Sequence, residues 1–139
     1  MRVLMDSSAL YKRYNAESGR AQLLAVGERA SEVVVAGHCK TEIASALNRQ
    51  RHDGFATVDD YARIMAVVKL DFEGFTLFAL DSRIEGYAIA AMEVSRLRTM
   101  DALHIGTAKA AYVDLFVTAD KRLAAAAQAL GLKTELIEV

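Results

Sequence analysis

The sequence of 139 residues contains a single cysteine, Cys39, and no proline. One cysteine excludes an internal disulfide, and a cytoplasmic location is expected because a reducing cytosol is the ordinary setting of such a chain. Without proline, the turns must be made by glycine and polar residues. No apolar run approaches the roughly 18 residues that a membrane span requires, and no secretory pattern follows Met1, so no membrane partner is expected.

The sequence also lacks an excess of charge. Its 17 basic and 18 acidic residues give a net charge of -1, whereas nucleic-acid-binding proteins usually carry a basic excess. A role in handling nucleic acid therefore requires the acids to gather at one site with basic residues around it. The composition, 53% hydrophobic and 25% charged, is typical of a globular protein. The length predicts one domain spanning residues 1–139.

Short β-branched and apolar runs alternate with helical patterns along the whole chain. This alternation predicts an α/β fold, a three-layer α/β/α sandwich with a five-stranded parallel sheet. Five strands are too few for an eight-stranded barrel. Strands are predicted at residues 2–5, 32–36, 75–80, 115–118 and 134–139, and helices at about 9–14, after 18, at 41–52, 57–71, 82–97, 99–112 and 121–130.

Four acidic residues stand where this pattern predicts the carboxyl-end edge of the sheet. Asp6 directly follows the first strand and Asp120 follows the fourth. Glu42 lies in the first turn of the helix after the second strand, and Asp101 in the first turn of the helix that leads into the fourth. Open α/β sheets bind ligands beyond the carboxyl ends of their strands, so we expect a four-carboxylate cluster there.

Clustered carboxylates repel one another, which raises at least one pKa unless cations compensate the charge. Mg²⁺ and Mn²⁺ prefer oxygen ligands and are the natural compensation. Two such ions can activate a water molecule, orient a phosphate and stabilise a leaving oxygen. Taken singly, each of the four acids is equally well explained as a helix cap or as a solvated residue of a first helical turn.

At these acids the sequence resembles the PIN-domain family, and within it the VapC-type toxin ribonucleases of type II toxin-antitoxin systems. An apolar strand followed by Asp6-Ser-Ser-Ala-Leu10, the helix around Glu42 and the segment around Asp101 match the family's motifs in order. The segment Gly37-His-Cys-Lys40 departs from the small residues usual there. The matching segments are Val3-Leu-Met-Asp-Ser-Ser-Ala-Leu10, Thr41-Glu-Ile-Ala-Ser-Ala-Leu-Asn-Arg49, Leu97-Arg-Thr-Met-Asp-Ala-Leu-His-Ile-Gly-Thr-Ala108 and Thr118-Ala-Asp-Lys-Arg-Leu123 with Gly131-Leu132.

The resemblance implies an endoribonuclease that uses Mg²⁺ or Mn²⁺ to cleave single-stranded or looped RNA and so inhibits translation. It also implies a cognate antitoxin protein as a partner and a homodimer. Carried over by position, Asp6, Glu42, Asp101 and Asp120 are the catalytic and metal-binding residues, and the family varies at the position of Asp120.

Several neighbouring residues are candidates for contacts with the substrate or the acids. Ser7 and Thr118 carry hydroxyls that could reach the cluster, but a helix cap and a strand end explain them equally well. His104 shares a helix face with Asp101, and a structural hydrogen bond is the preferred interpretation. For the group His38, Cys39 and Glu42, a buried structural thiol is preferred over a soft-metal site. Lys40 and Arg98 are the first candidates for phosphate contacts, ahead of Lys12, Arg13, Lys121 and Arg122.

Other functions stay open at this point. One is a catalytically silent PIN-like domain that binds RNA or a protein. Another is a phosphoacceptor receiver-like signalling domain, since Asp81 follows the third predicted strand, although Asp6 has no acidic neighbour. A dinucleotide-binding domain is excluded because no Gly-x-Gly-x-x-Gly follows the first strand. A phosphatase with an Asp-x-Asp motif is excluded because Ser8 occupies the second acidic position.

Overall fold

The computed structural model describes residues 1–138 and contains, within them, five strands and seven helices. The end of the last predicted strand, Val139, lies outside the described residues. The strands are β1 (Arg2–Met5), β2 (Glu32–Ala36), β3 (Thr76–Phe78), β4 (Leu115–Thr118) and β5 (Thr134–Leu136). The helices are α1 (Ser7–Tyr11), α2 (Arg20–Arg29), α3 (Cys39–His52), α4 (Val58–Gly74), α5 (Ser82–Val94), α6 (Thr99–Ala110) and α7 (Lys121–Ala129).

The five strands form one parallel sheet in the order β3-β2-β1-β4-β5. The central strand β1 pairs on both sides, so that Leu4 lies opposite Val34 of β2 and Phe116 of β4. The strand order reverses between β1 and β4, and this switch point is where open α/β sheets form their ligand crevice. The prediction of a five-stranded parallel α/β/α sandwich is confirmed.

Alternate residues of the central strands face two separate cores. Val3 and Met5 pack with helices α1 to α4, whereas Leu4 and Phe116 pack with helices α5 to α7. Since successive side chains of a strand point to opposite faces, the near-continuous apolar runs of β1 and β4 cover both layers. The sheet is therefore shielded on both faces, and only its edges and strand ends can offer an open site.

The helix starts are set by local capping. The side chain of Asp6 accepts a hydrogen bond from the backbone of Ala9, so α1 begins at Ser7 rather than near residue 9 as predicted. The predicted capping box at the start of α4 is present, with Thr57 and Asp60 bonded reciprocally. The predicted third strand is shortened to Thr76–Phe78 because β3 is an edge strand that, within residues 1–138, is bonded only to β2.

Helices α5 and α6 approach each other closely at a glycine. A Cβ atom at Gly106 would lie 2.6 Å from the carbonyl oxygen of Ile84 and 3.1 Å from the backbone nitrogen of Ala88. Only the absence of a side chain permits this contact. The close packing fixes α6, and with it the position of Asp101 in its first turn. Among residues 1–138, no helix combines the length and apolar character needed to cross a bilayer.

Candidate active site

An open cleft of about 540 Å³ lies at the carboxyl ends of β1 and β4. It is the crevice expected at the point where the strand order reverses. Glu42, Asp101 and Asp120 line it, together with Ser7 and Ser8. Asp6 adjoins the cleft from beneath its wall, because it is only 2% exposed and bonds directly to Ser8. The fold thus brings the four predicted acids together from separate elements.

Asp6 is held rigidly at the start of α1. Its Oδ1 accepts hydrogen bonds from the backbone of Ala9 and from Ser8 Oγ, each 2.8 Å long. Its Oδ2 accepts a 2.5 Å hydrogen bond from Thr118 Oγ1 at the end of β4. Thr118 also accepts a hydrogen bond from the backbone of Asp120, so one hydroxyl links two of the acids. The candidate Thr118 therefore contacts the cluster directly.

Glu42 is bonded through one carboxylate oxygen. Its Oε1 accepts from Ser7 Oγ at 2.8 Å and contacts His104 Nε2 at 2.7 Å and His38 Nε2 at 3.3 Å. The candidate Ser7 thus contacts Glu42 rather than Asp6. His104 makes the structural hydrogen bond predicted from the sequence, and its side chain is fully buried, with 1% exposed. These contacts leave Glu42 Oε2 with no hydrogen bond inside residues 1–138.

Asp120 and Asp101 present freer oxygens to the cleft. Asp120 caps α7, and its Oδ1 accepts from the backbones of Arg122 and Leu123. Across the described part of the chain, neither Asp120 Oδ2 nor Asp101 has a hydrogen-bonding partner. Because a carboxylate offers about four lone-pair sites, these oxygens and Glu42 Oε2 keep the capacity to bind a cation.

The site gathers carboxylates whose ionisation is disfavoured by burial and by their mutual repulsion. Burial raises the pKa of Asp101, and the neighbouring charge of Asp120 raises it further. Burial also raises the pKa of Asp6, against the charge of His104 and the hydrogen bonds that it accepts. Burial alone would raise the pKa of Glu42, but hydrogen bonds from His104, His38 and Ser7 hold it well below its ordinary value. Raised carboxyl pKa values mark a site that a cation would stabilise.

The donor set therefore fits a hard divalent cation. The unpartnered oxygens of Glu42, Asp101 and Asp120 all belong to one cleft, and oxygen is the ligand that Mg²⁺ and Mn²⁺ prefer. The carboxylate of Asp6 accepts three hydrogen bonds, which leaves it about one free lone pair. Asp6 can therefore serve as a single fixed metal ligand or hold a bound water.

Arginines surround the acidic cleft. Arg49 and Arg98 line the cleft itself, and a neighbouring cavity of about 340 Å³ shares Arg98, Asp101 and Asp120 with it. Arg96 and Arg122 line that second cavity. These four arginines take part in no salt bridge among the residues that the structure describes. The near-neutral chain thus gathers unpaired positive charge beside its acidic cluster, as a nucleic-acid function would require.

The remaining basic candidates lie away from the cleft lining. Lys40 Nζ sits 5.8 Å from the centre of the Phe72 ring, and Lys12 pairs with Glu17. Arg13 pairs with Asp71 at 2.8 Å, and Lys121 lines a different cavity. Cys39, the first residue of α3, is fully buried in the core, as a structural thiol should be.

Sequence reasoning missed three members of the site. Arg49 lies seven residues after Glu42 on α3, and this two-turn spacing could have placed it on the same helix face. Arg96 precedes Arg98 by two residues, and proximity to that candidate was its only signal. His38 was grouped with Cys39 and Glu42, where a structural thiol was preferred over a metal site, and its contact with His104 from the opposite layer was missed.

The receiver-like alternative does not fit this geometry. Receiver domains have the strand order 2-1-3-4-5, whereas this sheet has β3 at its edge, separated from β4 by β2 and β1. Asp81 is exposed and caps α5 by accepting a hydrogen bond from Ile84, so it stands outside the acidic cleft.

Comparison with known proteins agrees with this architecture. VapC20 of Mycobacterium tuberculosis, a sarcin-ricin loop cleaving toxin, has a TM-score of 0.68 at 15% identity, over 94% of this chain and 95% of that chain. VapBC2 of Rickettsia felis, bound to a DNA fragment from its promoter, has a TM-score of 0.71 at 10% identity, over 98% of both chains. VapBC-1 of nontypeable Haemophilus influenzae has a TM-score of 0.68 at 11% identity, again over 98% of both chains.

At these identities the structural similarities establish the fold. No curated protein shows significant sequence similarity to this chain. The family model of the PIN domain matches residues 3–129, which include all four acids of the cleft. The chain therefore belongs to the PIN-domain family.

Proposed function

We propose that this single-domain protein is a metal-dependent endoribonuclease that cleaves single-stranded or looped RNA. The observation that carries the proposal is the convergence of Asp6, Glu42, Asp101 and Asp120 at the strand-order switch point, with carboxylate oxygens left free. A negatively charged phosphodiester can bind at a cluster of carboxylates only when cations offset the charge, and bound divalent cations can also activate the attacking water. Membership of the PIN-domain family supports the same activity.

Each acid has a distinct part in this proposal. Glu42, Asp101 and Asp120 would hold Mg²⁺ or Mn²⁺ through their free oxygens, and Asp6 would fix the centre as its least mobile member. The bound ions would supply a more acidic water and polarise the scissile phosphate. Thr118 and Ser8 keep Asp6 aligned, and Ser7 orients Glu42. The N-termini of α6 and α7, where the helix dipole is positive, lie at the cleft and would stabilise negative charge there.

The unpaired arginines are the proposed contacts for the RNA backbone. Arg49 and Arg98 would bind one phosphate next to the scissile bond, and Arg96 and Arg122 would bind another on the far side of Asp101 and Asp120. The planar guanidinium group can grip a phosphate through two parallel hydrogen bonds. Tyr11 lines the cleft and would stack on a base.

We further propose that the protein acts as the toxin of a toxin-antitoxin pair and inhibits translation by this cleavage. Its structural neighbours include VapBC assemblies and a toxin from Klebsiella pneumoniae in complex with its antitoxin. A cognate antitoxin would block the cleft, and a homodimer would be the active assembly.

The test uses purified protein, a labelled single-stranded RNA and either EDTA, Mg²⁺ or Mn²⁺. Cleavage should require a divalent ion and should fall at least about 100-fold in Asp101→Asn and Asp6→Asn variants. Asp59→Asn is the matched control, because Asp59 is exposed on α4 and outside the cleft. Cleavage that persists in EDTA, or in the Asp101 variant, would refute the proposal. Absence of cleavage with every ion and RNA would favour a silent RNA- or protein-binding domain.

A further inference from the structure

Two histidines and a glutamate converge beside the acidic cleft. His38 and Glu42 are four residues apart at the start of α3, so their side chains share one face of the helix. His104 reaches them from α6, and its ring lies 4.4 Å from the His38 ring, centre to centre. One ligand atom from each of the three side chains falls within 4.8 Å of the other two.

We infer that His38, Glu42 and His104 form a second cation site, chemically different from the four-acid centre, that binds a divalent transition metal of the zinc type. Imidazole nitrogens suit Zn²⁺, Co²⁺ and Ni²⁺, whereas Mg²⁺ prefers oxygen ligands alone. Two histidines with one glutamate is a donor set that holds zinc in proteins and leaves a position open. Binding at this site does not depend on the proposed ribonuclease activity.

The distances fit such an ion after a small adjustment. Two ligands about 2.1 Å from a tetrahedral ion lie about 3.4 Å apart. His38 Nε2 and Glu42 Oε1 are 3.3 Å apart, close to that separation. His104 Nε2 and Glu42 Oε1 are 2.7 Å apart, so that pair must open by about 0.7 Å. The carbonyl oxygen of Met100 lies 3.1 Å from His38 Nε2 and would be the fourth ligand of the ion.

The surroundings limit how tightly the ion is held. A histidine that binds a metal through Nε2 carries its proton on Nδ1 and normally donates it to an acceptor. His104 Nδ1 is buried, and it has no partner within residues 1–138. Since such supporting hydrogen bonds are worth about 10- to 100-fold in metal affinity, we expect binding weaker by about that factor than at a zinc site whose histidines all have an acceptor.

The site shares Glu42 with the acidic cleft. An ion bound by Glu42 and the two histidines would draw Glu42 Oε1 away from Ser7 and add positive charge at the cleft wall. A consequence that rests on the proposed ribonuclease function is that Zn²⁺ should inhibit the RNA cleavage supported by Mg²⁺. This consequence fails if the chain cleaves no RNA, whereas metal binding itself would still be observed.

The experiment is a Co²⁺ titration of protein from which any affinity tag has been removed, followed by visible absorption, with Zn²⁺ as the competitor. Four- or five-coordinate Co²⁺ absorbs far more strongly than the hydrated ion, so the spectrum reports the coordination directly. His38→Ala should weaken binding by at least about tenfold. His52→Ala is the matched control, because His52 is exposed in the last turn of α3, at the opposite end of the helix from His38 and Glu42.

Circular dichroism of each variant serves to check that it is folded. An absorption spectrum of wild-type protein that stays that of hydrated Co²⁺ would overturn the inference without any variant. Equal affinity in the wild type and His38→Ala would also overturn it, since the ion would then sit at the acids alone. Zinc inhibition of cleavage, expressed against each variant's own zinc-free rate, should be strong in His52→Ala and weak in His38→Ala.

Discussion

Replacing Thr118 by valine tests whether the acidic cluster is held by its hydroxyl. Thr118 is fully buried at the end of β4, and valine keeps its shape while removing the oxygen. The change removes a hydrogen bond to the buried carboxylate of Asp6, worth about 1.5–3 kcal/mol. It also leaves the backbone N–H of Asp120 without its acceptor, at about 1 kcal/mol. We expect a total loss of about 3 kcal/mol in the free energy of unfolding at pH 7.

Thr107→Val is the matched control. Thr107 is equally buried, but its hydroxyl bonds only the carbonyl oxygen of Leu103 one turn earlier in α6. That carbonyl is already an acceptor in the helix, so the loss should be about 1 kcal/mol or less. Urea unfolding in EDTA measures both variants. In thermal unfolding, the Thr118 variant should melt roughly 10 °C below the wild type.

The pH dependence separates this argument from a general packing defect. Burial already raises the pKa of Asp6, and removal of the Thr118 donor raises it further. An acid whose pKa is higher in the folded state than in the unfolded state favours folding at low pH. This contribution to the free energy of unfolding is lost as pH rises through the folded-state pKa. The extra cost of Thr118→Val should therefore shrink as pH falls. A cost that is independent of pH, or equal to that of Thr107→Val, would refute the reasoning.

Three further predictions concern the charge, the packing and the RNA contacts. Because burial and Asp120 raise the pKa of Asp101, the Asp101→Asn variant should be more stable than the wild type in EDTA at neutral pH. This difference should grow as pH rises from the ordinary carboxyl pKa through the raised folded-state pKa of Asp101, level off above it, and reverse when Mg²⁺ is added; a wild type that stays the more stable in EDTA contradicts it. Gly106→Ala should cost about 1–3 kcal/mol by overpacking α5 against α6, whereas Gly86→Ala, with open space around it, should be neutral or stabilising in urea unfolding. Arg98→Ala should weaken the binding of uncleaved RNA and lower the slope of log affinity against log salt by about 1, while Arg20→Ala should change neither; an unchanged slope removes Arg98 from the phosphate contacts.

Local features of the sequence were sufficient to predict the layers and most of the elements. Strand β1 and the capping box at Thr57 were predicted at their observed positions, because short-range periodicity and caps depend on neighbouring residues. Boundaries were less accurate where tertiary contacts intervene. Edge strand β3 is shorter than predicted, since it pairs on one side only. The prediction that four acids meet at one edge rested on the order and polarity of the elements and on the family resemblance, and the fold brings all four together.

The sequence by itself determined that Asp6 and Asp120 each stand between a strand and the helix that follows it, because a strand end and a helix cap are local features. Only the tertiary structure decided that β1 and β4 are neighbours, which lets the Thr118 hydroxyl bridge the two acids. It also decided that His104 meets Glu42 across 62 positions of sequence. Contacts of this kind depend on strand order and on the packing of opposite layers, and no short-range pattern in the chain encodes them.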